Sequence, residues 1–178
     1  ELCNASVTPI FETIPPWEYD PPLYDTYLHD ILSKKEDNPH FMLASSLENM
    51  QKWTTSLQIF TDGSKVDARC GCAFYIPELK FHRQFRLPDN TSIFISEMVA
   101  ILESLQFLLS KPPFSCVIFS DSLSSIQSLQ SGLDVSPIHQ EIRYCLYQLW
   151  CQGVDVAISW IPSHVGIQGN EIVDKLAK

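Results

Sequence analysis

Residues Ile59–Lys65 have the sequence IFTDGSK, in which an aspartate directly follows an apolar run that is typical of a β-strand. Aspartate is depleted in strands, and a charge that faces a protein core costs several kcal/mol unless something compensates it. Two interpretations of Asp62 follow. Either the strand ends there and Asp-Gly-Ser opens a turn, or a cation or a substrate meets the carboxylate.

The sequence that follows IFTDGSK predicts an α/β domain. Two more β-prone segments, Cys70–Pro77 and Lys80–Leu87, predict an antiparallel meander with the strand that contains Asp62. The later elements are a helix at Ile93–Ser110, a strand at Cys116–Ser122, helices that end near Gln130 and Cys151, a strand at 154–162 and a helix from Gly169. Because strands joined through helices pair in parallel, we predict a five-stranded mixed sheet, with three antiparallel and then parallel strands and helices on both faces.

The first third of the chain differs in composition from this domain. Residues 8–25 contain five prolines, which disfavour both helix and sheet. We therefore predict a Pro-rich, acidic linker or connector over residues 1–56, with short helices near Leu23–Lys34 and Phe41–Thr54. The folded domain is predicted to span residues 57–178.

The net charge of −9 is unevenly distributed. Residues 1–58 carry nine acidic and three basic side chains, and residues 59–178 carry twelve and nine, which gives local charges of −6 and −3. The acidity does not exclude a phosphate-bearing partner, because most of it lies outside the predicted domain. It argues against tight, electrostatically driven binding by this chain alone.

The six cysteines have no zinc-ligand spacing and most lie in apolar segments. This pattern predicts reduced core thiols in an intracellular protein of the nucleus or cytoplasm. We expect no membrane partner, because no apolar run approaches the ~18 residues of a membrane span, and the N-terminus does not have the pattern of a signal peptide.

Four acidic residues have positions that are unusual for surface charges. Asp62 and Asp121 each follow an apolar strand at a comparable point, while Glu97 and Asp174 border the apolar faces of helices. Taken singly, each is more often a turn former, a helix cap or a solvated side chain. Together, four acids at one end of a sheet would repel each other unless divalent cations neutralised them. Oxygen ligands favour Mg²⁺ or Mn²⁺ over zinc.

Four segments resemble type 1 ribonuclease H, and they occur in the right order. They are IFTDGS at 59–64, SEMVAI at 96–101, FSDS at 119–122 and WIPSHVGIQGNEIVDKLA at 160–177. TDGS alone is a weak signal, whereas the W-x-P-x-H-x-G-x-x-G-N-E-x-x-D run is highly specific. The resemblance covers about residues 57–178 and is closest to the RNase H domains of non-LTR retrotransposon reverse transcriptases.

This resemblance implies an RNase H-like fold and an endoribonuclease that hydrolyses the RNA strand of RNA/DNA hybrids. Two Mg²⁺ ions, with Mn²⁺ as a substitute, would act at the scissile phosphate and leave 5′-phosphate and 3′-hydroxyl ends. The implied metal ligands are Asp62, Glu97, Asp121 and Asp174, with Asp62 bridging the two ions. His164 would assist proton transfer or product release.

Further residues receive roles from the same comparison. The backbone amides of Gly63 and Ser64 and the hydroxyl of Ser122 are predicted to contact the RNA strand. Independently of the resemblance, the position of Asn170 one turn before Asp174 favours a role as the cap of the last helix. Residues 131–142 and 149–154, where some family members grip the DNA strand, contain no lysine or arginine. We therefore predict weak hybrid affinity, with binding supplied by a neighbouring reverse transcriptase module.

Two alternatives belong to other classes of protein. The first is a catalytically silent RNase H-fold module, derived from a retroelement, that binds nucleic acid or protein; the intact acids disfavour it. The second is an integrase-like DNA strand transferase, which is disfavoured by Glu97 between the two aspartates and by the motif at 160–177.

Overall fold

The computed structural model describes residues 20–32, 38–132 and 136–178. The strands are β1 (Leu23–Asp25), β2 (Leu57–Val66), β3 (Arg69–Ile76), β4 (Phe81–Leu87), β5 (Ser115–Ser120) and β6 (Asp155–Trp160). The helices are α1 (Tyr27–Leu32), α2 (Pro39–Met50), α3 (Ile93–Ser110), α4 (Leu123–Gln130), α5 (Pro137–Cys151) and α6 (Gln168–Ala177). Residues 1–19 of the predicted linker and Lys34, the predicted end of a helix, lie outside the described residues.

The six strands form one mixed sheet in the order β1-β6-β5-β2-β3-β4. Strands β2, β3 and β4 are an antiparallel meander, β5 is parallel to β2 and to β6, and β1 is parallel to β6. The mixed α/β architecture predicted from the sequence is therefore confirmed.

The predicted count of five strands is wrong, because β1 adds a sixth. Leu23 pairs with Ala157 and Asp25 with Ser159 along the outer edge of β6. Three residues are too few to produce an alternating pattern, and Pro21 and Pro22 immediately before them suggest irregular chain. An edge strand tolerates proline at its start, because one side of it needs no ladder hydrogen bonds.

The two helices expected in the N-terminal part are present with shifted limits. Helix α1 begins at Tyr27, because the residues before it form β1. Helix α2 begins at Pro39, and the side chain of Asn38 accepts hydrogen bonds from the amides of His40 and Phe41. This is a typical N-terminal cap, with proline at the first helical position.

The sheet has an apolar core on each face, because successive side chains of a strand point to opposite sides. One core packs α3 and α5 on the sheet, with the buried side chains Ile59, Met98, Ile101, Leu105, Ile118 and Leu149. The other core packs α6, through its buried Val173, against Phe60, Phe119, Ile161 and Ile167, with Leu43, Met50 and Trp53 partly buried against it.

Glycines allow two helices to approach the central strand β2 closely. A Cβ atom at Gly63 would lie 2.4 Å from the backbone nitrogen of Glu97 in α3. A Cβ atom at Gly169, in α6, would lie 2.3 Å from the ring of Phe60. Both helices therefore bring their acidic residues towards the same end of β2.

By length and composition, α3 could cross a membrane, since it has 18 residues and a mean hydropathy of 1.6. This corrects the expectation that no apolar segment approaches that length. In the fold, α3 packs against β2 and α5, and the polar residues Glu97 and Ser104 are among its buried side chains. Its apolar character is accounted for by its position in the core.

Within the described residues, five cysteines are free, and Cys70, Cys72, Cys116 and Cys145 among them are buried. Burial raises the pKa of the Cys72 and Cys116 thiols to about 12. These thiols behave as small apolar side chains, because a neutral thiol is a poor nucleophile.

Candidate active site

The parallel register of β2 and β5 brings two predicted site residues together. Thr61 pairs with Ser120, so the residues that follow, Asp62 and Asp121, stand side by side where these two strands part. Strand β6 ends at the same edge, since Ser120 also pairs with Trp160. Sites of open α/β sheets lie at this carboxyl edge of the parallel strands.

Glu97 completes a cluster of three carboxylates with Asp62 and Asp121. The three groups each offer an oxygen atom, and these oxygens lie within 4.8 Å of one another. Asp62 and Glu97 are each only 6% exposed. Among the described residues, no partner donates a hydrogen bond to the buried Oε2 atom of Glu97. Leaving such an atom unpaired costs free energy, so this cluster suits a bound cation.

Burial and mutual repulsion change the protonation of the cluster. Burial raises the pKa of Asp62 from 3.8 to about 7, and the charges of Asp121 and Asp174 add to the effect. Burial, together with the Asp62 and Asp121 charges, raises the pKa of Glu97 to about 9. The pKa of Asp121 is also raised, chiefly by burial. A divalent cation would reverse these shifts, because it stabilises the ionised form of every carboxylate around it.

Asp174 borders the same cavity but does not belong to the cluster of three. Its Oδ2 atom accepts a hydrogen bond of 2.7 Å from the Nζ atom of Lys178, one helical turn further on. Its side chain is 17% exposed. Its charge still acts on the Asp62 and Asp121 carboxylates. The structure thus places Asp174 at the rim of the site and pairs it with a lysine.

His164 lies at the mouth of the site, in the loop between β6 and α6. It is exposed, and it lines a cavity of about 300 Å³ together with all four acids. Its φ of 54° is in the left-handed region, which non-glycine residues rarely adopt, and Gly166 follows with a φ of 93°. Strained conformations of this kind persist where the surrounding structure holds them, often at functional sites.

The three predicted substrate contacts occupy different positions. Gly63 and Ser122 line the cavity that contains the acids. The Gly63 backbone partly offsets the effect of burial, which raises the pKa of Asp62 and of Glu97. Ser64 is buried and lines a neighbouring cavity with Arg69 and Arg86, so the structure does not bring it to the acids.

Two residues contact Asp121 in ways that the sequence did not reveal. Asn170, which is 2% exposed, donates a hydrogen bond of 3.2 Å from Nδ2 to Oδ2 of Asp121. The predicted capping role of Asn170 is wrong, because α6 already begins at Gln168. Trp160 donates from Nε1 to the backbone carbonyl of Asp121 at 3.0 Å. The motif at 160–177 contained both residues, but spacing alone does not show which group each one meets.

The arrangement is chemically suited to divalent cations. Asp62, Glu97 and Asp121 offer only oxygen atoms, which are the ligands of Mg²⁺ and Mn²⁺. The unpaired Glu97 oxygen and the raised pKa of each carboxylate fit such an ion. A mixed α/β sheet that carries this cluster at the end of two parallel strands defines a candidate metal-dependent enzyme.

Comparison with known proteins makes the assignment more specific. Residues 54–178 match the RNase H family, and the match covers more than half of the chain. The chain therefore belongs to the RNase H family, which confirms the resemblance seen in the sequence at the level of the family. Family membership points to a nuclease that cleaves RNA/DNA hybrids.

A curated relative is the Pol polyprotein of equine infectious anemia virus (strain Wyoming). The two sequences are 30% identical over 132 residues, which is 70% of this chain and 10% of the polyprotein. The chain thus spans about a tenth of the length of that relative. The similarity links the domain to retroviral polyproteins.

Proposed function

We propose that this domain is a hybrid-specific endoribonuclease of type 1, which hydrolyses the RNA strand of RNA/DNA hybrids with two divalent metal ions. The observation that carries the proposal is the convergence of Asp62, Glu97 and Asp121 in one cavity, in a chain of the RNase H family. Three carboxylates within reach of one ion, two of them buried, are costly to maintain unless they bind it.

The residues that would hold the ions are Asp62, Glu97 and Asp121, with Asp174 joining from the rim. Mg²⁺ or Mn²⁺ bound there would supply an acidified water molecule and neutralise charge at the leaving oxygen. Asp62 is the acid proposed to serve both ions, because it alone lies on the central strand β2. The proposed products carry 5′-phosphate and 3′-hydroxyl ends.

The other residues of the cavity have supporting roles in this proposal. Glu97 would contact the ribose 2′-hydroxyl, which distinguishes RNA from DNA. Gly63 and Ser122 would contact the RNA backbone. The exposed His164 side chain would exchange protons with the leaving group and with solvent, since imidazole titrates near neutral pH.

The proposed partners are an RNA/DNA hybrid and a polymerase module of a parent polyprotein. The acidic charge of the chain supports weak binding of the isolated domain to nucleic acid. The similarity to a Pol polyprotein supports a neighbouring polymerase module that supplies affinity. A non-LTR retrotransposon source and an intracellular location are parts of the same proposal.

One observation favours the alternative of a catalytically silent binding module. Asp174 pairs with Lys178 and does not join the three clustered acids. If that pairing persists when divalent ions are present, the domain would have three effective ligands in place of four. Activity measurements separate the two proposals.

The test uses an RNA/DNA hybrid labelled at the RNA 5′ end, incubated with the chain and Mg²⁺ or with EDTA. We expect Mg²⁺-dependent cutting of the RNA strand, and no cutting of duplex RNA or duplex DNA. Asp62→Asn should abolish it, while Asp67→Asn, an identical change at an exposed turn, should not. Binding without cutting would favour the silent module, and cleavage of duplex DNA would favour the strand transferase.

A further inference from the structure

Described residues that precede the family match, within 20–32 and 38–53, are packed into the same domain. The match begins at residue 54, yet β1, α1 and α2 all lie before it. Leu28 and Leu32 of α1 are 1% and 8% exposed, and Ser46 and Asn49 of α2 are also buried. We propose that the described residues at 23–32 and 38–53, here called the N-terminal brace, position the loop that carries His164 and the strand end that carries Asp121.

The brace is held together by one carboxylate. Asp25, at the end of β1, has a side chain that is only 10% exposed. It accepts hydrogen bonds from the backbone amide of Tyr27 and from Nδ2 of Asn49, and it forms an ion pair with Lys52. The strand, α1 and α2 are thereby linked to a single acceptor, so that they act as one unit on the edge of the sheet.

The brace reaches the His164 loop through α2. Leu43 packs against the core that includes Ile167, and Val165 packs against the same core. The Cδ2 atom of Leu43 lies 3.8 Å from the position that a Cβ atom of Gly166 would occupy. Leu43 therefore lies next to Gly166, in the segment that follows the left-handed His164.

The brace reaches Asp121 through α1. The ring of His29 meets the indole of Trp160 edge to face, with 5.7 Å between the ring centroids. Trp160 in turn donates its Nε1 hydrogen bond to the backbone carbonyl of Asp121. In addition, β1 covers β6 up to Ser159, next to Trp160. An edge strand without a partner frays more easily, and β6 leads directly into the His164 loop.

The brace acts only through other residues. None of its residues lines the cavity that contains the acids. Its proposed role is to hold Ser163–Gly166 and the Trp160–Asp121 contact in place. This part of the inference rests on the proposed ribonuclease function, since it assigns the brace an effect on turnover through His164.

The test compares Leu43→Ala with Leu47→Ala. Both residues are leucines of α2, but Leu47 is 49% exposed and serves as the matched control. Amide hydrogen exchange over residues 163–167 is measured first, because it requires no activity. We expect faster exchange in Leu43→Ala and unchanged exchange in Leu47→Ala. Equal exchange in the two variants would overturn the proposal.

Turnover on a hybrid is then measured for Leu43→Ala in the wild-type and His164→Ala backgrounds. We expect kcat to fall about tenfold with little change in KM, because displacing His164 misaligns a proton-transfer group but does not weaken the binding of the hybrid. In the His164→Ala background, the Leu43→Ala change should alter kcat by less than about twofold. A full tenfold effect in that background would show that Leu43 does not act through His164. If the wild-type chain cuts no hybrid, the proposed function fails, but the exchange comparison still decides whether the brace holds the loop.

Discussion

The two halves of the candidate site are built differently. Asp62, Glu97 and Asp121 are supplied by β2, α3 and the end of β5, whose mutual positions are set by strand register and by the close approach at Gly63. His164 and Asp174 come from the loop after β6 and from α6; His164 is exposed, and the side chain of Asp174 is 17% exposed. The difference indicates that the positions of the inner acids are fixed by the sheet and α3, whereas those of the outer residues depend on the packing of the loop and of α6.

The largest effect should come from the inner half. Glu97→Gln keeps the shape of the side chain but removes a charged ligand, so we expect activity to fall about 10³-fold, since a bound metal supplies several kcal/mol of charge stabilisation. The measurement is initial rate on hybrid at saturating Mg²⁺. Glu103→Gln, on the same helix but outside the cavity, is the control. Near-normal activity of Glu97→Gln would remove Glu97 from the ligand set.

The outer half should give a smaller effect of a different kind. His164→Ala removes a proton-transfer group, and we expect kcat to fall about 10²-fold. Because His164 is not a member of the carboxylate cluster, the gain in Tm on adding Mg²⁺ should be unchanged. Thermal melts with and without Mg²⁺ check this point. If His164→Ala lost the rise in Tm on adding Mg²⁺, His164 would belong to the cation-binding inner half, and the two halves would not be distinct.

Asn170 links the two halves, because it lies in α6 and donates to Asp121. We expect Asn170→Ala to raise the Mg²⁺ concentration needed for half-maximal rate about tenfold, since residues that orient a metal ligand typically affect metal affinity by 10–100-fold. Gln168→Ala, at an exposed position of the same helix, should change nothing. An unchanged Mg²⁺ requirement in Asn170→Ala would show that Asp121 keeps its orientation without this bond.

The pH dependence of stability should reflect the inner half. Folding raises the pKa of Asp62 to about 7 and that of Glu97 to about 9. The folded state binds protons at these two groups more tightly than the unfolded state does. The resulting stabilisation is complete below about pH 4, and it is lost as the pH rises through about 7 for Asp62 and about 9 for Glu97. In EDTA, we expect Tm to fall between pH 5 and pH 9 as these two groups ionise. A melting series of wild type and Asp62→Asn checks this, since the variant should show a shallower fall.

The sequence predicted the inner half better than the outer one, for physical reasons. Asp62 and Asp121 follow apolar strands of similar length, and parallel neighbours must end at the same edge, so their proximity could be inferred from pattern alone. Asp174 was expected among the ligands, but its pairing with Lys178 depends on side-chain positions. The spacing of four residues allowed that pair without requiring it.

Strand β1 and the contact made by Asn170 could not be predicted, because each depends on tertiary structure. Leu23–Asp25 is a strand only because the edge of β6 accepts it. Asn170 is a residue type that favours helix caps, but α6 begins two residues earlier and turns its side chain towards Asp121. In both cases a local preference is overridden by a partner that is distant in the sequence.

The clustered carboxylates should bind divalent cations, and a melting experiment at pH 8 measures that binding without requiring activity. Tm is measured in EDTA and in Mg²⁺ for wild type, Asp62→Asn and the exposed control Asp67→Asn. We predict that Mg²⁺ raises the Tm of wild type and Asp67→Asn, and that Asp62→Asn melts higher than wild type in EDTA but gains nothing from Mg²⁺. If neither Mg²⁺ nor Mn²⁺ raises the Tm of wild type, or if Asp62→Asn keeps the full rise in Tm, the clustered carboxylates are not the site of cation binding.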